Sequence, residues 1–166
     1  MSSSSSTGFD VVVVGSANLD LVARTSRLPK PGETVSGSHF FEACGGKGVN
    51  QAIASARAGA RTAFVGALGR DHAGETLLAA LLSDGVDVSA VQRVSVPTGR
   101  ALIGVSDDGE NSIIVIPGAN HALSVTDIEK HKSLISSAKV LLCQLEVPLS
   151  VVQRAFELQD HLRREF

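Results

Sequence analysis

Short apolar runs alternate with amphipathic stretches along this chain, and the alternation predicts its elements. Residues 9–14 are almost wholly apolar and rich in valine, and they end at Gly15. Such a run predicts a strand buried on both faces, as in a parallel sheet covered by helices. Residues 19–24 and 34–41 read as extended segments on either side of the turn-forming Leu28-Pro29-Lys30-Pro31-Gly32-Glu33. They are expected to pair as a small antiparallel ribbon outside the main sheet. Small residues over 49–58, among them Ala52, Ala54, Ala56 and Ala58, predict a helix packed closely on the sheet and stopped by Gly59. Residues 62–66 form the next buried strand, followed by a loop at 69–71. Asp71 stands where it would cap a helix over 73–82, with Leu77, Leu78, Leu81 and Leu82 as its apolar stripe and Gly85 near its end.

Residues 91–96 are expected to be extended. Residues 99–106 and 111–116 flank Asp107-Asp108-Gly109-Glu110, a hairpin signal with a longer loop that ends at Pro117-Gly118-Ala119-Asn120. A helix over 125–136 follows, capped by Ser124. Residues 139–146 read as a last apolar strand ending in a carboxylate. Pro148 opens a final helix over 149–164, with Val152, Ala155, Phe156 and Leu162 as its buried stripe. Strands alternating with helices, with hairpins inserted between them, predict an α/β fold with a largely parallel sheet. No internal repeat is present, and no linker divides the chain.

Composition narrows the function classes. Fifteen Lys and Arg against 17 Asp and Glu leave a net charge of −2, so no basic excess points to nucleic acid or a membrane surface. Trp and Tyr are absent, which removes the usual stacking platforms for bases. Cys44 and Cys143 stand in no metal spacing, and two reduced thiols are expected. The histidines form no HxH or HxxxH pair that would suggest zinc. The opening M-S-S-S-S-S-T-G predicts a disordered tail over residues 1–8, without the basic start and apolar core of a signal peptide. The apolar runs are too short to span a bilayer. The cytoplasm is the expected location.

Three places carry candidate chemistry. The sequence from Cys44 runs C-G-G-K-G-V-N-Q-A and leads into the 49–58 helix. Glycines let the backbone turn sharply and approach a ligand, and the first helix amides are expected to point outward as donors. Lys47 and Asn50 add a charged donor and an amide. Taken alone, the stretch is equally an ordinary glycine-rich turn. After the first strand comes G-S-A-N-L-D, which is not the GxGxxG of a dinucleotide site. In an extended chain Asn18 and Asp20 share a face, where an amide and a carboxylate can grip neighbouring sugar hydroxyls or simply end a strand. Glu146 follows the last strand, at the end where open α/β sheets bind ligands, and also stands where an acid would start the last helix.

Taken together these motifs resemble the N-terminal half of the ribokinase/PfkB family of sugar and nucleoside kinases. The resemblance rests on Asn18-Leu19-Asp20, the P-G-E-T turn at 31–34, G-G-K-G-V-N-Q-A at 45–52, Gly59 and Gly69, T-G-x-A-L-I at 98–103, G-A-N at 118–120 and Q-L-E at 144–146. It covers residues 11–148. It implies a three-layer αβα sandwich with a small β lid made of segments near 19–43 and 99–116. It implies that Asn18, Asp20, Gly46, Lys47, Asn50 and Glu146 hold the hydroxyls of D-ribose or a similar pentose, which ATP phosphorylates to ribose 5-phosphate. Mg2+, a monovalent cation such as K+, and a homodimer formed through the lid come with the resemblance. G-G-K-G is typical of the ribokinases, although it is no Walker loop, which needs GxxxxGK[ST].

The chain also departs from the family. The Asn-x-x-Glu motif is absent, and so is the D-T-x-G-A-G-D stretch whose last Asp is the family's general base. No catalytic residue is therefore assigned. The resemblance implies that the C-terminal part of the fold is missing and that the chain alone is inactive. The alternative is a non-catalytic short form that binds sugar or dimerises. The ending Q-D-H-L-R-R-E-F, within residues 149–166, matches no family motif.

Overall fold

A computed structural model describes residues 8–163, with side chains through residue 160. The tail expected over residues 1–8 lies, apart from Gly8, outside the described residues. The first strand, β1 (Val11–Val14), is four valines. β-branched side chains suit a pleated strand. It is paired in parallel on both sides, with β4 (Thr62–Gly69) and β8 (Val140–Cys143), and β5 (Val91–Val94) adds to the far side of β4. The resulting sheet has the order β5-β4-β1-β8 and is wholly parallel.

Alternation along the strands sorts the core into two layers. Val13, Phe64 and Leu68 pack against α1 (Lys47–Arg57) and α2 (His72–Ser83) through Val49, Ala52, Leu77 and Leu81. Val12, Val14, Ala63 and Val65 face the other way. They pack on α3 (Val125–Lys130), α4 (Lys132–Ser136) and α5 (Leu149–Arg163) through Ile128, Ile135, Val151 and Ala155. The fold is thus a three-layer α/β/α sandwich. Among the described residues no helix is long and apolar enough to cross a membrane.

A second sheet stands apart, in the order β3-β2-β6-β7. It consists of β2 (Asn18–Thr25), β3 (Gly37–Gly45), β6 (Gly99–Ser106) and β7 (Asn111–Ile116). β2 and β3 form the expected antiparallel ribbon, and β6 and β7 the expected hairpin, while β2 and β6 run parallel. The chain enters and leaves this sheet along one row. Asn18 is registered with Gly45 and Gly99, and Arg100 beside it with Ile116.

Several boundaries differ from expectation for physical reasons. β4 runs on to Gly69, because β5 pairs with residues 66–69. β3 begins at Gly37, three residues later than expected, and ends at Gly45, four residues further on than expected. The expected 125–136 helix breaks at His131 (φ −110°, ψ 20°). β8 stops at Cys143, so Gln144 to Glu146 lie beyond the strand. Ala54 and Ala58 are exposed while Ala52 is buried, since residues two apart do not share a helix face. Leu82 of the α2 stripe is 55% exposed and Phe156 of the α5 stripe 46% exposed. Val152 and Ala155 are buried as expected, and the Leu162 side chain lies outside those described. The caps are as expected. Asp71 accepts from the Gly74 amide at 2.9 Å, and Ser124 forms a capping box with Asp127.

Candidate ligand-binding cleft

The cleft forms where β1 and β8 end and the second sheet begins. Three residues, Gly15 to Ala17, carry the chain from β1 into β2. Gly46 lies between β3 and α1 with φ +86°, a conformation that glycine adopts without penalty. It lets the chain reverse in one residue, so that α1 starts at Lys47, two residues earlier than the pattern predicts. A Cβ there would sit 2.8 Å from the Ala17 Cα and the Asn18 amide nitrogen.

Asn18, Asp20, Gly46, Lys47, Asn50 and Glu146, all six residues named from the sequence, line one cleft of about 220 Å³. Ala101 and Ile103 of β6 and Ile113 and Val115 of β7 form its apolar wall. Polar groups from the base of β2, from α1 and from the segment after β8 thus face an apolar wall from β6 and β7. The volume lies below the roughly 300 Å³ lower bound of drug-sized pockets, which suits a small ligand.

Ser16, which the sequence reading passes over, organises one side. Fully buried, it donates its hydroxyl to Glu146 Oε2 at 2.6 Å. Its Oγ accepts from the Gly48 amide at 3.3 Å and its carbonyl from the Val49 amide at 3.0 Å. The Lys47 amide donates to Glu146 Oε2 at 3.3 Å and the Asn50 amide to the Gly46 carbonyl at 3.0 Å. The first four amides of α1 are therefore all taken by protein groups. The expectation that they point outward as free donors is corrected, and what this corner offers a ligand is side chains.

Burial raises the Glu146 carboxyl, but the Lys47 ammonium, the Ser16 hydroxyl and the Lys47 amide together hold it below its ordinary value. Asp20 is shifted the other way, by burial first and the nearby Glu146 charge second. Its carboxylate has no hydrogen-bond partner among the described residues and is left open to the cleft. Asn18 is held by Asn120, whose amide donates to Asn18 Oδ1 at 2.8 Å. Asn120 belongs to the G-A-N motif and, like Ser16, is missed as a contributor. Its partners lie more than a hundred positions away, and the only local signal is a polar residue in a glycine turn.

A larger cleft of about 420 Å³ lies on the other side of the second sheet, lined by Leu21, Phe40, Leu102 and Ile114 among others and by no charged side chain. It offers no acid, base or paired donors, and size alone does not make it the centre of chemistry. Among the described residues no group of three or more His, Cys, Asp or Glu is arranged to hold a metal.

The pattern described as pfkB family carbohydrate kinase matches residues 9–164. Ribokinase from Mus musculus is 45% identical over 138 residues, 82% of this chain and 43% of that protein. Ribokinase from Haemophilus influenzae is 41% identical over 149 residues, 89% of this chain and 49% of that protein. The structure of Arabidopsis thaliana ribokinase complexed with ribose and ATP superposes with a TM-score of 0.84 at 36% identity, over 93% of this chain and 51% of that chain. The chain spans about half the length of the curated relatives it matches.

Proposed function

Because this chain belongs to the pfkB family of carbohydrate kinases, we propose that it carries the sugar-binding half of a ribokinase-type phosphotransferase, which makes ribose 5-phosphate from D-ribose and ATP. The observation that carries this reading is the convergence of Asn18, Asp20, Gly46, Lys47, Asn50 and Glu146 on one small cleft. A pentose is neutral and presents several hydroxyls, each both donor and acceptor. Asp20 and Glu146 offer acceptors, Lys47 and Asn50 offer donors, and Ile103, Ile113 and Val115 offer an apolar wall for the ring. Two carboxylates against one ammonium disfavour an anionic ligand and suit a neutral polyol. A site that pairs each hydroxyl strongly rejects analogues that lack one. In this reading the second sheet is a lid that keeps water from the sugar.

ATP enters the proposal through the Arabidopsis complex, and Mg2+ and a monovalent cation such as K+ through the family resemblance. The residues described do not fit the phosphates or Mg2+. The first amides of α1 are occupied, and among the described residues no group of three or more His, Cys, Asp or Glu could hold a metal. No phosphoryl-transfer step is assigned to this chain, which on this proposal binds sugar in the cytoplasm without turning it over. Calorimetry of the 166-residue chain with D-ribose, beside an assay of ADP formation, tests both parts. Saturable binding without ADP is expected. Absence of ribose binding would remove the sugar site, and ribose-dependent ADP formation would remove the non-catalytic reading.

A second reading, that the chain dimerises through its lid, is favoured by β7. This edge strand is exposed at all six positions and carries Ile113-Ile114-Val115-Ile116. Such an edge is a template for pairing with another chain.

A further inference from the structure

Asn120 lies outside the cleft, yet its amide has only one arrangement that satisfies its neighbours. The Ala17 amide reaches Asn120 Oδ1 at 2.8 Å, while Asn120 Nδ2 reaches the Ala17 carbonyl at 3.2 Å and Asn18 Oδ1 at 2.8 Å. The two backbone groups of Ala17 cannot exchange roles. Turning the Asn120 amide over would set two donors against each other and two acceptors against each other. An amide assignment is ordinarily settled by its network, and here the network is anchored in the main chain. All three residues are buried, with Asn18 4% and Asn120 1% exposed, so water does not compensate a wrong choice.

The consequence passes to Asn18. Because Asn120 presents a donor, Asn18 must present its oxygen in return. Its own NH2 group, which has no hydrogen-bond partner among the described residues, is then left at the cleft that Asn18 lines. We infer that Asn120 is a positioning residue that fixes the polarity of Asn18, making it a hydrogen-bond donor to a sugar hydroxyl beside the acceptor Asp20. The sugar part of this inference rests on the reading proposed above, whereas the amide orientation stands on the geometry alone.

Two measurements on the full chain test it. The first is hydrogen exchange of the side-chain amides by NMR. The Asn120 NH2 protons are expected to exchange slowly and those of Asn18 quickly, and the reverse pattern overturns the inference whether or not ribose binds. The second uses Asn120→Asp, which keeps the shape and removes the donor. Asn18 is expected to turn its NH2 inward, its protons to become protected, and ribose affinity to fall about tenfold, the scale of one lost hydrogen bond. In an Asn18→Ala background the same substitution is expected to change affinity less than about twofold by the same reckoning. An equal loss in both backgrounds means a merely structural role and overturns the inference. If the wild-type chain gives no heat with ribose, the sugar site fails while the exchange pattern still decides the amide. If Asn120→Asp does not fold, the wild-type exchange pattern decides alone.

Discussion

The ammonium of Lys47 and the carboxylate of Glu146 form an ion pair between residues 99 positions apart, at the edge of the polar cleft. The Lys47 side chain is 66% exposed, and pairs of that kind contribute about 0–1 kcal/mol to stability. The pair is better placed to orient two groups toward a ligand than to hold the fold. Glu146→Ala is therefore expected to lower ribose affinity about tenfold or more while costing stability no more than about 2 kcal/mol, including the lost Ser16 hydrogen bond. Calorimetry and urea denaturation of one preparation compare the two, and unchanged affinity would remove Glu146 from the site.

Asp20 and Glu146 have opposite pH signatures. Burial, with Glu146 second, raises the Asp20 carboxyl above its ordinary 3.8. A carboxyl raised in the folded state opposes folding when charged, and that cost is relieved as pH falls below the folded value. Ribose binding, which uses the charged form as acceptor, is expected to decline as pH falls, starting above 3.8. Asp20→Asn should flatten that limb. Glu146 is held below its ordinary 4.5. Its stabilising contribution is present above 4.5 and is lost only as pH falls through the lower folded value. Carboxyl chemical-shift titration reads both, and an Asp20 midpoint at or below 3.8 contradicts the assignment.

Gly46→Ala is expected to destabilise the chain by on the order of 1–3 kcal/mol and to abolish sugar binding, since it combines a positive φ with a backbone collision. Gly59→Ala is the informative comparison. Gly59 has φ +90° but nothing within 4 Å of an added Cβ, so it reports the conformational cost alone, about 1 kcal/mol. Equal costs in urea denaturation would mean that the close approach at Gly46 is unimportant.

Dimerisation through the second sheet predicts a response to charge on its apolar edge. Ile114 is 62% exposed in β7. Ile114→Lys is expected to turn a dimer into a monomer in sedimentation velocity while leaving the melting temperature within a few degrees. Wild-type chain that sediments as a monomer at every concentration would end the dimer reading.

Periodicity carries much of the fold and little of the support beneath the site. β1, the hairpin at 99–116 and the Asp71 and Ser124 caps are legible because each depends on neighbours in sequence. The break at His131 is not, since Lys130-His131-Lys132 contains neither Gly nor Pro. Nor is the extent of β4, which depends on its pairing with β5. All six cleft residues are legible through motif resemblance, but Ser16 and Asn120 act on partners more than a hundred positions away. Asp71 shows the same limit. Besides capping α2 it binds the Thr98 amide at 3.0 Å and hydroxyl at 2.6 Å. Asp71→Ala is therefore expected to cost stability, on the order of 1–2 kcal/mol, yet to spare sugar affinity, whereas Asp20→Ala should do the reverse.

The single row on which the chain enters and leaves the second sheet makes that sheet a cantilever. Asn18 stands at its fulcrum, Asp20 two residues out, and Thr25 at the end of the same strand. With a rise of about 3.3 Å per residue, a tilt of about 10° sweeps Thr25 through roughly 4 Å but Asp20 through only about 1 Å. On the proposed sugar-binding reading, discrimination is thereby stationed at Asn18 and Asp20, where the arm scarcely moves.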